Sequence, residues 1–156
     1  MDYFHKYFKY IYTVDRSDSV EYGLEYVEGI HSKLPISDVE RISDVCFAGS
    51  NKNREEQLLY IYDLLDEKGI RCDFTIIGGT QKRDGISHKP LSYTGALKHQ
   101  LSSKYILELC VGEQNANTLR SLEAIMYGRP LITNNMNVLQ SKYYDPQKMI
   151  VFRDVH

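Results

Sequence analysis

The sequence predicts an α/β fold, a doubly wound and mostly parallel sheet covered by helices in three layers, and three features of its middle and C-terminal parts carry that expectation. Short runs rich in β-branched and aromatic residues alternate with stretches whose apolar residues recur at helical spacing. Glycines stand where two of the helices should stop, Gly69 and Gly128, and where three of the strands should turn away, Gly49, Gly78 and Gly112. The strand-like runs are nearly continuous in apolar content, as strands buried on both faces of a parallel sheet should be, and strand–helix–strand order implies right-handed crossovers.

The elements follow in order. "SDVCFAG", residues 43–49, reads as a strand closed by a glycine. "NREEQLLYIYDLLDEKG" places apolar residues at 58, 61, 62 and 65, one face of an amphipathic helix. Asn53 with Glu56 three residues on reads as a capping box, and Gly69 as the C-terminal stop. "CDFTIIG" is the next strand, followed by a polar loop from Gly79 to Pro90. "SYTGALKHQLSS" reads as a helix opening at Ser92, and "KYILELCVG" as a strand. A helix from Asn117 or Thr118 to Tyr127 ends at Gly128, with Pro130 two residues beyond, and "PLITN" and "MIVF" are two further short strands.

Residues 1–42 differ in texture and are read as a strand-helix unit, "YIYTVD" then "SDSVEYG", followed by a linker; residues 43–156 form the main domain. The last run, "MIVFRDVH", has no helix after it, so a fragment, or one half of a larger architecture, is the expectation. Thirteen tyrosines, with Tyr3, Tyr7, Tyr10 and Tyr12 close together, suggest either packing residues or an association surface.

Composition narrows the function classes. Nineteen basic and twenty-one acidic residues give no large positive field to gather nucleic acid. No apolar run reaches the length of a membrane span, the N-terminus lacks a signal-peptide core, and the expected compartment is the cytoplasm. Cys46, Cys72 and Cys110 sit inside apolar runs and read as small buried core residues. The five histidines show no metal-ligand spacing, and no metal is expected.

Two loops carry candidate chemistry. "AGSNKNREE", residues 48–56, joins the first core strand to its helix: Gly49 allows close approach, Ser50 and Asn51 offer donors, and Lys52 and Arg54 add charge beside a helix N-terminus. That combination suits a phosphate-sized anion, or is simply a capped helix start with two solvated cations. "VGEQNANTLRSLEA", residues 111–124, sets Gln114, Asn115, Asn117 and Thr118 where a strand ends and a helix begins. Arg120 falls in the first turn, unfavourable there unless an anion or a carboxylate answers it. Glu123 lies among Leu119, Leu122, Ala124 and Met126, at the edge of the apolar face, where a carboxylate needs partners. It can form a surface pair with Arg120 at i, i+3, or bind hydroxyls of a sugar lying across the helix start.

"DVCFAGSNKNREEQLLYIYDLL", "CDFTIIGG" and above all "NTLRSLEAIMYGRPLITNN" resemble the C-terminal, donor-binding domain of GT-B glycosyltransferases of bacterial capsule and lipopolysaccharide assembly, over about residues 43–152. The resemblance implies a Rossmann-like half of a GT-B architecture that binds a nucleotide-diphosphate sugar as substrate, without a metal or other cofactor. It implies that Glu123 bonds the ribose, that the backbone N–H groups of Thr118 and Leu119 approach the diphosphate, that Arg54 reaches the same phosphates, and that Gly49 and Ser50 face the donor. With Asn115, Asn117 and Arg120 these residues make up the expected donor site; the catalytic residue is left unassigned. The sequence departs from the family at Asn115, where many retaining members carry a second Glu eight residues before the one matched by Glu123. In that family the saccharide acceptor binds a separate N-terminal domain, which 42 residues cannot supply. Self-association and peripheral attachment of the full-length protein to a membrane are compatible with this reading. Two other readings stand beside it: a non-catalytic Rossmann-like domain that binds a nucleotide or a partner protein, and a dinucleotide oxidoreductase, for which neither loop has the glycine fingerprint.

Overall fold

The computed structural model describes residues 2–29, 31–36, 39–112 and 116–155. Its centre is a six-stranded sheet of β3 (Ser43–Ser50), β4 (Cys72–Ile77), β5 (Ile86–Ser87), β6 (Ser103–Glu108), β7 (Leu131–Thr133) and β8 (Met149–Val151), in the order β5-β4-β3-β6-β7-β8. Every pairing is parallel, so the sheet is more uniform than the mostly parallel one expected. Helices α3 (Glu55–Asp66), α4 (Tyr93–Leu101) and α5 (Leu119–Met126) cover it in a Rossmann-like three-layer arrangement.

Strand alternation divides the core in two. Val45 and Phe47 of β3 meet Phe74, Ile76, Leu107 and the α3 residues Leu58 and Leu59 in one cluster. Cys46 faces the other way, into a cluster with Ile106, Leu131 and Ala124 of α5. Helix α4 lies on that second side, where Ser103 Oγ donates to the Cys46 sulfur at 3.0 Å and His99 Nε2 stands 3.0 Å from Asp73 Oδ1. Removing a central ring, as in Phe47→Ala, would cost about 3–5 kcal/mol by lost transfer energy plus a cavity.

Local signals set most boundaries. Ser92 caps α4 through its hydroxyl, which accepts from Gly95 N at 3.1 Å, and α5 ends before Gly128, which takes the left-handed conformation at φ 63°. The capping box expected at Asn53 is not formed. Lys52 and Asn53 both have positive φ (46° and 59°) in a turn closed by Arg54 N donating to Asn51 O at 3.0 Å. The acceptor for the helix start is therefore Asn51, whose Oδ1 takes the N–H groups of Arg54 (3.2 Å) and Glu55 (3.0 Å). The loop expected from Gly79 to Pro90 contains the edge strand β5, a pairing too short to leave a periodic trace. Of the three cysteines, only Cys46 is fully buried; Cys72 and Cys110 are half-buried, because each sits near a strand end.

The N-terminal part forms α1 (Asp2–His5), then β1 (Tyr12–Thr13), α2 (Arg16–Tyr22, capped by Asp15) and β2 (Glu25–Tyr26), with β1 and β2 paired in parallel. The N-terminal part, including the segment read as a linker, is pinned to residues 140–142, which lie between β7 and β8. Glu28 accepts from Ser141 Oγ (2.9 Å) and Lys142 N (3.1 Å), and Arg16 Nη2 donates to Gln140 O at 3.1 Å. Further on, the Tyr127 hydroxyl accepts from Leu34 N (2.8 Å) and donates to Leu34 O (2.9 Å). Tyr3, Tyr7, Tyr10 and Tyr12 are exposed.

Candidate functional site

Strand order reverses between β3 and β6: the chain leaves β3 toward β4 on one side and β6 toward β7 on the other. Loops that part in this way leave a crevice at the carboxyl ends of the strands, the usual ligand position in open α/β sheets. A cavity of about 330 Å³ opens there, within the range of small-molecule sites. Gly49 and Ser50 line it from the end of β3, Lys52 and Arg54 from the loop that follows, and Thr118, Leu119, Arg120 and Glu123 from the start of α5. Tyr93, Ala96 and Gln100 of α4 form a further wall.

The basic end of the cavity is built over Gly49 and Phe47. The guanidinium carbons of Arg54 and Arg120 lie 5.1 Å and 5.0 Å from the centre of the Phe47 ring. Gly49 permits this: a Cβ there would fall 2.9 Å from Arg120 Nη2 and 3.3 Å from Arg54 Nη2. Two like charges thus converge on one glycine, and among the described residues neither is ion-paired with a carboxylate. Burial, and then the Arg120 charge, push the Arg54 guanidinium below its ordinary value. A bound anion relieves that repulsion, and its bonds to guanidinium groups are among the stronger hydrogen bonds.

The two arginines are not equivalent. Arg54, only 7% exposed, donates through Nε and Nη2 to Ser50 O (3.2 and 2.9 Å) and through Nη1 to Leu109 O, tying the ends of β3 and β6 together. Arg120 reaches Ala48 O through Nη2, while its Nε is buried without a hydrogen-bond partner. The free donor capacity at the basic end is thus clearest on Arg120.

Beneath the start of α5 lies Glu108, fully buried, a residue the sequence analysis passed over as part of a strand. Its carboxylate accepts from the hydroxyls of Thr118, Ser121 (3.0 Å) and Thr133. Thr118 is also the N-cap: its hydroxyl accepts from Arg120 N and Ser121 N, and its own N–H donates to Ser121 Oγ at 3.2 Å. That capping box occupies the Thr118 N–H expected to approach a diphosphate. Glu108 therefore anchors the helix that presents Arg120.

Glu123 lines the same cavity, three residues after Arg120 on α5, and is 3% exposed. The Arg120 pair does not form; Arg120 turns to Ala48 O instead. The neighbours of the Glu123 carboxylate are the Tyr93 hydroxyl and His31, whose Nε2 stands 3.9 Å from Oε1. Burial, and then the Glu123 carboxylate, push the Tyr93 phenol up to about 12. A nearly buried carboxylate with such thin satisfaction is uncommon in a structural role.

Of the expected residues, Gly49, Ser50, Arg54, Thr118, Leu119, Arg120 and Glu123 share this one cavity. Asn117 does not: its amide turns away toward Glu28 Oε2, at 3.5 Å, because the N-terminal segment supplies an acceptor there. Asn115, with Glu113 and Gln114, lies outside the described residues. Sequence reasoning missed Tyr93, Gln100, Glu108 and His31, which belong to a helix face, a strand and a segment read as a linker; none has a spacing that signals the site. Cys110 is on the wall too, but burial pushes its thiol up to about 12, so it is neutral rather than nucleophilic. A second groove, about 770 Å³, runs between Tyr26, Glu28 and His31 on one side and Leu122, Ile125 and Met126 of α5 on the other, with no residue of the six-stranded sheet in its lining. Among the described residues no helix is long and apolar enough to cross a membrane, and no group of three or more His, Cys, Asp or Glu could hold a metal ion. Comparison with protein-family models, with curated proteins and with solved structures finds no match to this chain.

Proposed function

We propose that the β3–β6 crevice binds a nucleoside-diphosphate sugar and that the chain is the donor-binding part of a GT-B glycosyltransferase acting in the cytoplasm on a surface polysaccharide or lipopolysaccharide. The observation that carries this reading is the meeting of two kinds of group in one cavity: two arginines converge over Gly49, and a nearly buried, thinly satisfied carboxylate lines the same space. A diphosphate answers the first, and the hydroxyls of a ribose answer the second. During transfer the leaving nucleoside diphosphate gains charge as the glycosidic bond breaks. Arg120, with Arg54 behind it and the N-terminus of α5 beside it, would stabilise that charge by fixed positive groups, the role a divalent ion plays in other enzymes. The saccharide acceptor and the catalytic base would come from a separate domain.

Arg54 favours a second reading. A guanidinium that donates to Ser50 O and Leu109 O stabilises the loops of a domain that binds a nucleotide without turning it over. Calorimetric titration with UDP, GDP and NAD tests the shared premise and the rival. Micromolar binding of a nucleoside diphosphate, weakened strongly in Arg120→Ala and Glu123→Ala, supports the site; preference for NAD, or no binding by any of the three, overturns it. Transfer of sugar from a nucleotide sugar to an acceptor, assayed with a GT-B acceptor-binding domain added, separates an enzyme from a binding module.

A further inference from the structure

We infer that Tyr93 and His31 form a latch on Glu123, competing with the ligand for this carboxylate and limiting the affinity of the site; the inference rests on the nucleoside-diphosphate reading above. Three parts of the chain meet here. Tyr93 is the first residue of α4, Glu123 lies on α5, and His31 comes from the segment that crosses over α5 after β2. The His31 Nε2 is hydrogen-bonded to the Tyr93 hydroxyl, and the two rings meet edge to face at 5.7 Å and 89°.

One arrangement of protons suits all three groups: the His31 ring donates to the Tyr93 oxygen, and the Tyr93 hydroxyl donates to Glu123. In that state the phenol does what a ligand hydroxyl would do. The latch is held from outside the cavity. Tyr93 and Glu123 line the crevice and His31 lines the larger groove, so the His31–Tyr93 bond joins the linings of the two cavities. The arginines are separate from this contact: Arg54 and Arg120 gather over Gly49. A ligand that uses only the arginines does not disturb it; one that extends to Glu123 must displace the Tyr93 hydroxyl first.

The N-terminal segment is fixed by Glu28 to residues 141 and 142 and by Leu34 to Tyr127, so His31 is presented to Tyr93 from a pinned stretch of chain.

The test compares wild-type chain, Tyr93→Phe and His31→Ala by calorimetric titration with UDP, GDP and inorganic pyrophosphate, after thermal melting has shown each variant to be folded. Tyr93→Phe removes the competing hydroxyl and keeps the ring; His31→Ala removes its support and serves if the first variant fails to fold. The expected result is a roughly threefold to tenfold lower Kd for the nucleoside diphosphate in both variants, the net effect of removing one competing hydrogen bond, with the Kd of pyrophosphate unchanged. Unchanged or weaker nucleoside-diphosphate binding in folded variants overturns the latch and leaves the functional reading standing. If pyrophosphate binds and no nucleoside diphosphate binds any of the three proteins, both fall together.

Discussion

Arg54 and Glu55 are neighbours in the chain and serve two different neighbourhoods at the same edge of the sheet. Glu55 faces the loop after β4, where its carboxylate accepts from Thr80 N (2.6 Å), Gln81 N (2.9 Å) and Thr80 Oγ1 (3.2 Å). Beside it His88 directs Nδ1 to Ile76 O (2.9 Å) and Nε2 to Gln81 O (3.0 Å). Both partners are acceptors, so the imidazolium is the form that satisfies both, and these backbone bonds hold the His88 pKa above its ordinary value. The same kind of bonds hold the Glu55 carboxyl below its own. This neighbourhood is closed: each charge has its partners within the chain.

Across Arg54 the crevice is open. Arg120 keeps a buried Nε without a partner, two guanidiniums face each other, and Glu123 is flanked at 3.9 Å by His31 and by a phenol. Glu108 makes the contrast sharper, since it is more deeply buried than Glu123 yet bonded by three hydroxyls. Burial of charge alone does not mark a site. What distinguishes the crevice is burial without completion.

The largest expected effect belongs to the carboxylate whose partners are complete. Glu108→Ala leaves the hydroxyls of Thr118, Ser121 and Thr133 without their shared acceptor, and urea unfolding should show a loss of about 3 kcal/mol or more. Glu123→Ala should behave otherwise. It removes a poorly satisfied carboxylate, so stability should change by less than about 1 kcal/mol. If the two substitutions cost the same in unfolding, the distinction between complete and incomplete carboxylates is wrong.

Next comes Arg120→Ala, which should weaken nucleoside-diphosphate binding by roughly tenfold to a hundredfold in calorimetry, the loss of hydrogen bonds to a charged group. Gly49→Ala probes the same end without removing a charge. Its Cβ would push on Arg120 Nη2 at 2.9 Å and also on the buried Phe47 ring at 3.2 Å, so binding should fall together with the melting temperature; unchanged binding would show that the Arg120 position does not matter to the ligand.

The smallest effect concerns pH. His88 has a raised folded pKa, so its contribution is fully present below its ordinary value of 6.5 and is lost as pH rises through the raised one. Glu55 has a lowered folded pKa, so its contribution is present above its ordinary 4.5 and is lost as pH falls through the lowered one. The loop is therefore held best from about pH 4.5 to 6.5. Thermal melts of wild type and His88→Ala should differ most near pH 6 and converge toward pH 9, with nucleotide affinity equal in the two proteins throughout.

Much of this arrangement is readable from sequence. Apolar periodicity gives α3, continuous apolar runs give β3, β4 and β6, and Ser92, Thr118 and Gly128 mark helix ends, because each of these signals is a short-range preference of the backbone. The alternation of elements in turn determines a parallel sheet, and the crossover rule determines which loops meet at its carboxyl edge. Tertiary structure alone decided where side chains on those loops point. Arg54 and Glu55 diverge because Ser50 O and Leu109 O lie on one side of the helix start and the N–H groups of Thr80 and Gln81 on the other. Asn117 turns from the crevice because Glu28, 89 residues away in sequence, offers it an acceptor. Tyr93 and His31, separated by 62 positions, meet at Glu123 only after two crossovers and the N-terminal segment have been laid against one another. Hydrogen bonds and ion pairs act over a few ångströms in space regardless of separation along the chain. The sequence by itself could therefore specify the edge at which a ligand would bind, and only the packed chain could specify which charges there are already answered.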